Sequence, residues 1–203
     1  QRMYKQRENC FYYITTMNEN YVHPDMPKGV EEGIVRGIYL FAAATVKKPK
    51  LKVQLMGSGT IFNEVREAAI ILRQDFGVHA DIWSLTSVNQ LARDGQSCTR
   101  WNMLHPGAKI RQPYITQQLT GHDGPVIAAT DYMKAYTEQL RAFISDDYYT
   151  LGTDGFGRSD TRAKLRDFFE VDRRYIALAA LYALYHQDRI KKSVVIGAIS
   201  SLG

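Results

Sequence analysis

The sequence predicts an α/β fold in three layers, with helices on both faces of a mostly parallel sheet. Three observations carry this. Residues 52–76, KVQLMGSGTIFNEVREAAIILRQDF, run from an apolar stretch at 53–56 through Gly57-Ser58-Gly59 into a segment whose Ile61, Val65, Ala68, Ala69, Leu72 and Phe76 share one helical face. A change of period across a glycine turn specifies strand, turn and helix. Next, a second strand-like stretch at 79–84 follows Gly77 at once. That completes a right-handed crossover and makes the two strands parallel. Finally, strand-like and helix-like segments go on alternating, in the expected order β-α-β-α-β-β-α-β-α-α-α from residue 50, and such alternation builds a parallel sheet between helices.

Each element has a local reason. Residues 10–17, CFYYITTM, are rich in aromatic and β-branched types and predict a strand buried on both faces. Residues 18–27 hold two prolines and two asparagines and predict an irregular, ordered loop. Residues 30–40 have helical spacing, but Gly29, Gly33 and Gly37 recur at every fourth position. Each glycine weakens a helix by about 1 kcal/mol relative to alanine, so short helical turns are expected. After the GSG turn, the Thr60 hydroxyl is placed to cap the helix, and Glu64 and Glu67 put negative charge near its positive end.

Further on, residues 87–104 read as helix in their first half and as a turn around Asp94-Gly95. A short strand is expected at 114–119, a turn at 121–124 and a buried strand at 125–129. Residues 133–144 form an amphipathic helix, with Met133, Tyr136, Leu140 and Phe143 or Ile144 on one side. A short edge strand at 148–151 and a glycine-bracketed loop at 153–160 lead to helices at 161–169, 174–186 and 191–202. The strand at 10–17 has no partner of its own before the first crossover. Residues 1–45 are therefore expected to be the tail of a preceding domain, and the start QRMYKQREN, without methionine, reads as though cut from something longer.

The totals narrow the class. A chain of 203 residues, 45% hydrophobic and 23% charged, has room for one large globular domain or a medium one with an appendage. Its longest apolar run, around 38–46, is too short to span a bilayer, and its first residues are polar and charged, so neither a transmembrane segment nor a signal peptide is read. Cys10 and Cys98 lie in different elements without CxxC spacing, which suits a reduced, cytosolic protein. The net charge of +5 is modest, with one cluster at Lys47, Lys48, Lys50 and Lys52. It reads as a solvated loop; the competing reading is a docking patch for an acidic partner domain or nucleic acid.

Residue chemistry alone yields no complete catalytic set. Gly57-Ser58-Gly59-Thr60 stands where a phosphate could bind, yet lacks the GxGxxG or GxxxxGK[ST] spacing, so a plain tight turn is preferred. In Asp154-Gly155-Phe156-Gly157-Arg158-Ser159-Asp160, Ser159 or Asp160 would cap the next helix and Arg158 is placed to pair with a carboxylate. Arg100, Trp101 and His105 suit an ordered loop or interface. There is no nucleophile elbow, metal-ligand cluster or full cofactor fingerprint.

Several segments taken together resemble a known family, the homodimeric, thiamine-diphosphate-dependent decarboxylating component of bacterial pyruvate dehydrogenase complexes. The blocks are YYITTMNENY (12–21), EEGIVRGIY (31–39), LMGSGTI (55–61) with VREAA (65–69), LARDGQ with RWNMLHP (91–106), ATDYMK (129–134) and LGTDGFGRSDTRAKLRDFFEVD (151–172). The resemblance implies a transketolase-type C-terminal domain over 46–203. Before it, within 1–45, would come the closing strand of the pyrimidine-binding domain.

It also implies a reaction: pyruvate is decarboxylated on thiamine diphosphate, and the two-carbon unit passes to a lipoyl group of the acetyltransferase component. Thiamine diphosphate and Mg2+ would sit between two subunits on residues upstream of Gln1. The Asp-Gly pairs at Asp94 and Asp154 lack the asparagine-containing run of the family's diphosphate motif, so this stretch is expected to bind neither. Tyr21, which ends the NENY block, corresponds to a family residue near cofactor and substrate. Some members carry an active-centre histidine four residues into the helix after the GSG turn, and here that position is Glu64. A carboxylate can also shuttle protons, although the helix terminus favours its charged form.

The implied partners are a second subunit, the dihydrolipoyl acetyltransferase component and its lipoyl domains, with no nucleic acid or membrane, in a bacterial cytoplasm. Two alternatives stand beside this: an enzyme for a related 2-oxo acid, and a non-catalytic dimerisation or interaction module using the loop near Lys48.

Overall fold

The structure is a computed structural model that describes residues 1–12, 20–46 and 48–202. The first crossover forms as the sequence requires. Strand β2 (Lys52–Ser58) feeds helix α2 (Ile61–Phe76), which ends on Gly77 in a left-handed conformation, and the chain returns as β3 (His79–Leu85), parallel to β2. The strand expected at 10–17 falls largely on residues 13–19, outside the described residues; Cys10, Phe11 and Tyr12 have no regular structure.

Helical turns over 30–40 are realised only as α1 (Glu31–Arg36). Gly37, at φ +108, ends that helix, and residues 38–40 belong instead to β1 (Ile38–Ala42), antiparallel to β3. The apolar, partly aromatic run IYLFA after the glycine finds a sheet edge to complete, and pairing outweighs helical spacing.

Beyond β3, helix α3 (Val88–Leu104) is continuous and capped by the Ser87 hydroxyl, which accepts from the Gln90 amide. The turn read at Asp94-Gly95 does not occur. Gly95 is buried against the Phe143 ring, so its small size serves a close approach and not a bend. The strand expected at 114–119 is a helix, α4 (Tyr114–Leu119). Asp94 Oδ2 accepts from the Tyr114 amide at 2.6 Å, and Ile115 and Leu119 are buried four apart, which is helical spacing.

Strand β4 (Val126–Ala129) is buried along its length. The amphipathic segment at 133–144 breaks into α5 (Lys134–Glu138) and a 3-10 turn at Arg141–Phe143, held by Arg141, which donates to Glu138 and to the Tyr148 carbonyl. Strand β5 (Tyr148–Leu151) is an edge strand as expected, followed by α6 (Arg162–Phe168), α7 (Arg173–His186) and α8 (Lys192–Leu202).

Among the described residues five strands lie in the order β1-β3-β2-β4-β5, and all but β1 are parallel. Val53, Leu55 and Ile127 face α2 and α7, whose Val65, Leu72, Ile176, Ala180 and Leu181 close one core, with α8 packed on α7. Met56, Trp83 and Ala128 face the other way, onto Val88, Leu91, Ile115 and Leu140. This alternation along each strand makes three layers.

The amino edge of the sheet is fastened by Asp81, which is 1% exposed. Its carboxylate accepts from Lys52 Nζ at 2.6 Å, His122 Nδ1 at 2.6 Å and the Ala44 amide at 2.8 Å. Lys52 is thus a structural partner and not one of a group of solvated charges, while Lys47 lies outside the described residues. Burial alone would push the Asp81 carboxyl up, but these donors hold it below its ordinary value.

The contact of Gly95 with Phe143 is testable. Gly95→Ala improves helix propensity by about 1 kcal/mol, yet its Cβ would enter the ring, and overpacking costs about 1–3 kcal/mol. Urea denaturation should show a net loss of stability, recovered when Phe143→Leu is added. A stabilised single variant would refute the packing account.

Candidate functional site

The chain leaves β2 toward β3 on one side of the sheet but reaches β4 on the other, so the carboxyl ends of β2 and β4 flank a topological switch point, the usual place for a ligand crevice in such sheets. The segments leaving β2, β4 and β5 are tied together there. Ser58 Oγ and Thr130 Oγ1 lie 2.8 Å apart, Thr153 Oγ1 donates to the Asp131 carbonyl at 2.8 Å, and the Lys134 amide donates to Asp154 Oδ1 at 2.9 Å. Asp154 and Asp94 therefore serve as backbone acceptors.

Above this edge lies a cavity of about 310 Å³. Thr60, Asp131, Thr153, Arg158, Arg162 and Arg166 are among the residues that line it. The three arginines are spaced by four, and Arg162 and Arg166 lie one helical turn apart on α6. Thr161, and neither Ser159 nor Asp160, caps α6; its hydroxyl accepts from the Lys164 amide. Arg158 stacks on Phe168, with Cζ 4.0 Å from the ring centroid. Thr60 likewise departs from expectation: it makes no side-chain cap, and its hydroxyl faces Asp131 Oδ2 and Arg166 Nη2, each at 3.5 Å.

Glu64 points from the first turn of α2 and is 6% exposed. It accepts from Arg173 Nε at 2.8 Å, Arg173 Nη2 at 3.2 Å, the Arg173 amide at 3.2 Å and Arg166 Nη1 at 3.1 Å. Burial would raise its carboxyl, but hydrogen bonds and charge from Arg173, with Arg166 behind them, hold it below the ordinary carboxylate range. It is ionised at neutral pH and is a poor proton donor. Tyr21 is half-buried, and its Oη accepts from Arg166 Nη2 at 3.3 Å.

Both residues singled out in the sequence thus meet, through Arg166. The sequence alone does not single out Arg166 or Arg173, although the four-residue spacing in RSDTRAKLR signals a cationic helix face. His105 is an ordered-loop residue: it stacks on Trp101 with ring centroids 4.5 Å apart.

This fold and edge define a class. The family model "Transketolase-like TK C-terminal domain" matches residues 37–172, and the chain belongs to that family. A second model, "Pyruvate dehydrogenase E1 component middle domain", matches residues 1–24. The pyruvate dehydrogenase E1 component of Pseudomonas aeruginosa is 56% identical over 203 residues, covering 100% of this chain and 23% of the relative. That of Escherichia coli K12 is 54% identical over 202 residues, covering 98% and 22%. The chain thus spans less than a quarter of the length of these relatives.

Glu64→Gln should destabilise the fold by about 1–3 kcal/mol at pH 7, since it removes the charge from hydrogen bonds to two guanidinium groups. A carboxyl depressed in the folded state stabilises above its unfolded pKa of about 4.3, and that contribution is lost as pH falls through the folded value. Thermal melts should show the gap between the two proteins closing below about pH 4. A gap that widens in acid would contradict this.

Proposed function

We propose that this chain is the C-terminal part of a pyruvate dehydrogenase E1 component. The complete subunit would decarboxylate pyruvate with thiamine diphosphate and Mg2+ and transfer the acetyl group to the lipoyl group of the acetyltransferase component, as a homodimer in a bacterial cytoplasm. The observation that carries this is 56% identity sustained along the whole chain to an enzyme of that name. Residues 1–24 read as the tail of the preceding domain, and those from there to about 45 as its connection, the last part of which has joined the sheet as β1.

The described residues do not fit the diphosphate and its metal. Among them no group of three or more His, Cys, Asp or Glu side chains could hold a metal ion, and Asp94 and Asp154 are engaged by backbone amides. The cofactor, which supplies the electron sink for decarboxylation, belongs to the upstream part of the subunit. The contribution of this chain is then to wall the reaction centre: Tyr21 borders it as a hydrogen-bonding group, and Glu64 stands behind as a fixed, ionised carboxylate. Arg158, on the lining of the same cavity, brings positive charge to the entrance, which suits an anionic 2-oxo acid.

The full-length subunit, supplied with thiamine diphosphate and Mg2+, should transfer acetyl groups from pyruvate to lipoyl acceptors, and Tyr21→Phe should lower its turnover by roughly tenfold, the size expected for the loss of one hydrogen bond, without shifting its melting temperature. A clear preference for a longer 2-oxo acid would redirect the substrate assignment. Micromolar binding of thiamine diphosphate by the 203-residue chain alone would overturn the division of labour.

A further inference from the structure

We propose that Arg166 is a positioning residue, which holds the Tyr21 hydroxyl in its working orientation and is itself held by Glu64. The inference rests on the reading that Tyr21 borders the reaction centre. It starts from where each residue sits in the chain. Residues 20–27 have no regular secondary structure, so the backbone around Tyr21 is not fixed by a helix or a strand. Arg166 lies within α6, and its side chain is only 17% exposed. Its guanidinium divides between two jobs. Nη1 donates to Glu64 Oε1 at 3.1 Å, while Nη2 donates to Tyr21 Oη at 3.3 Å and stands 3.5 Å from Thr60 Oγ1. Its Cζ also lies 5.8 Å from the Tyr21 ring centroid.

A guanidinium has donors and no acceptor. In this pair the phenol oxygen must accept, so its lone pair turns toward α6 and its own proton is directed away from α6. Rigidity arrives by the same route. Glu64 is anchored by the Arg173 side chain and amide at the start of α7, and it tethers one end of the Arg166 guanidinium. With one nitrogen held by a buried carboxylate, a planar, rigid guanidinium has a narrowed range of directions for the other. The carboxylate at position 64 thereby acts through an arginine and does not move protons itself. The chain of contacts also joins a tyrosine from the segment that matches the middle-domain model to two helices of the C-terminal family fold.

The competing account is that Arg166 is an ion pair that stabilises the fold and nothing more. Steady-state kinetics on the full-length, cofactor-loaded subunit separate the two. Arg166→Met should lower kcat roughly tenfold with the KM for pyruvate changed by about twofold or less, because an interaction that orients the reacting wall is lost and not a uniform binding contact. Arg166→Lys, which keeps the charge but not the fork, should fall between. Combined with Tyr21→Phe, Arg166→Met should add little further loss, since no hydroxyl remains to be oriented.

Additive losses, or full activity in Arg166→Met while Tyr21→Phe is impaired, would overturn this inference and leave the functional reading standing. Full activity in Tyr21→Phe would remove the reading and the inference together. Should Arg166→Met fail to fold, Arg166→Lys carries the same cycle with the same criteria.

Discussion

A carboxylate taken out of water is tolerated only if cations and donors replace the water, and Glu64 is the clearest instance in this protein. An uncompensated charge at such a position would cost several kcal/mol. Here the compensation comes from Arg173 at the start of α7 and from Arg166 on α6, so the same contacts that neutralise Glu64 fasten three helices at the carboxyl edge of the sheet. Remove the pairing and α6 loses its tie to α2, Thr60 loses one of its neighbours, and the cavity loses one wall. Asp81 solves the same problem at the opposite edge with Lys52, His122 and a backbone amide. The two buried carboxylates work as fasteners at the two ends of one sheet. They differ in surroundings: Asp81 closes the exit of β1 and the entries of β2 and β4, whereas Glu64 adjoins a cavity.

Much of the fold was legible because its strongest signals are local. The change of period across Gly57-Ser58-Gly59 needs only neighbouring residues, and α2 and β3 follow from it. Misreadings occurred where a distant partner decides. Gly95 reads as a turn until the Phe143 ring is seen against it. Residues 114–119 read as strand until Asp94 accepts from their first amide and Ile115 and Leu119 are buried on one helical face. Ile38 and its neighbours join the sheet because β3 offers an unpaired edge, a fact that no window around residue 38 contains.

The site was less legible for the same reason. Resemblance alone marks Tyr21 and Glu64. What joins them is an arginine 145 residues beyond the first and 102 beyond the second. A row of arginines at four-residue intervals announces a cationic helix face but does not say what that face touches. Thr60 illustrates the reverse: a residue well placed for a local cap whose hydroxyl is turned instead toward Asp131 and Arg166, distant in sequence.

The direction of one edge strand has a geometric consequence for all of this. Because β1 runs against its neighbour, Ile38 pairs with Leu85 and Ala42 with Ile82, so the chain enters the strand beside the carboxyl terminus of β3. The chain immediately before Ile38 therefore lies at the carboxyl rim of the sheet, where the cavity opens. Had the strand run the other way, its first residue would lie about 14 Å further down the sheet, at roughly 3.4 Å for each step between its five residues. The incoming segment would then have reached the rim that Asp81 closes, and Tyr21 would have had to double back along the length of a strand to find its arginine.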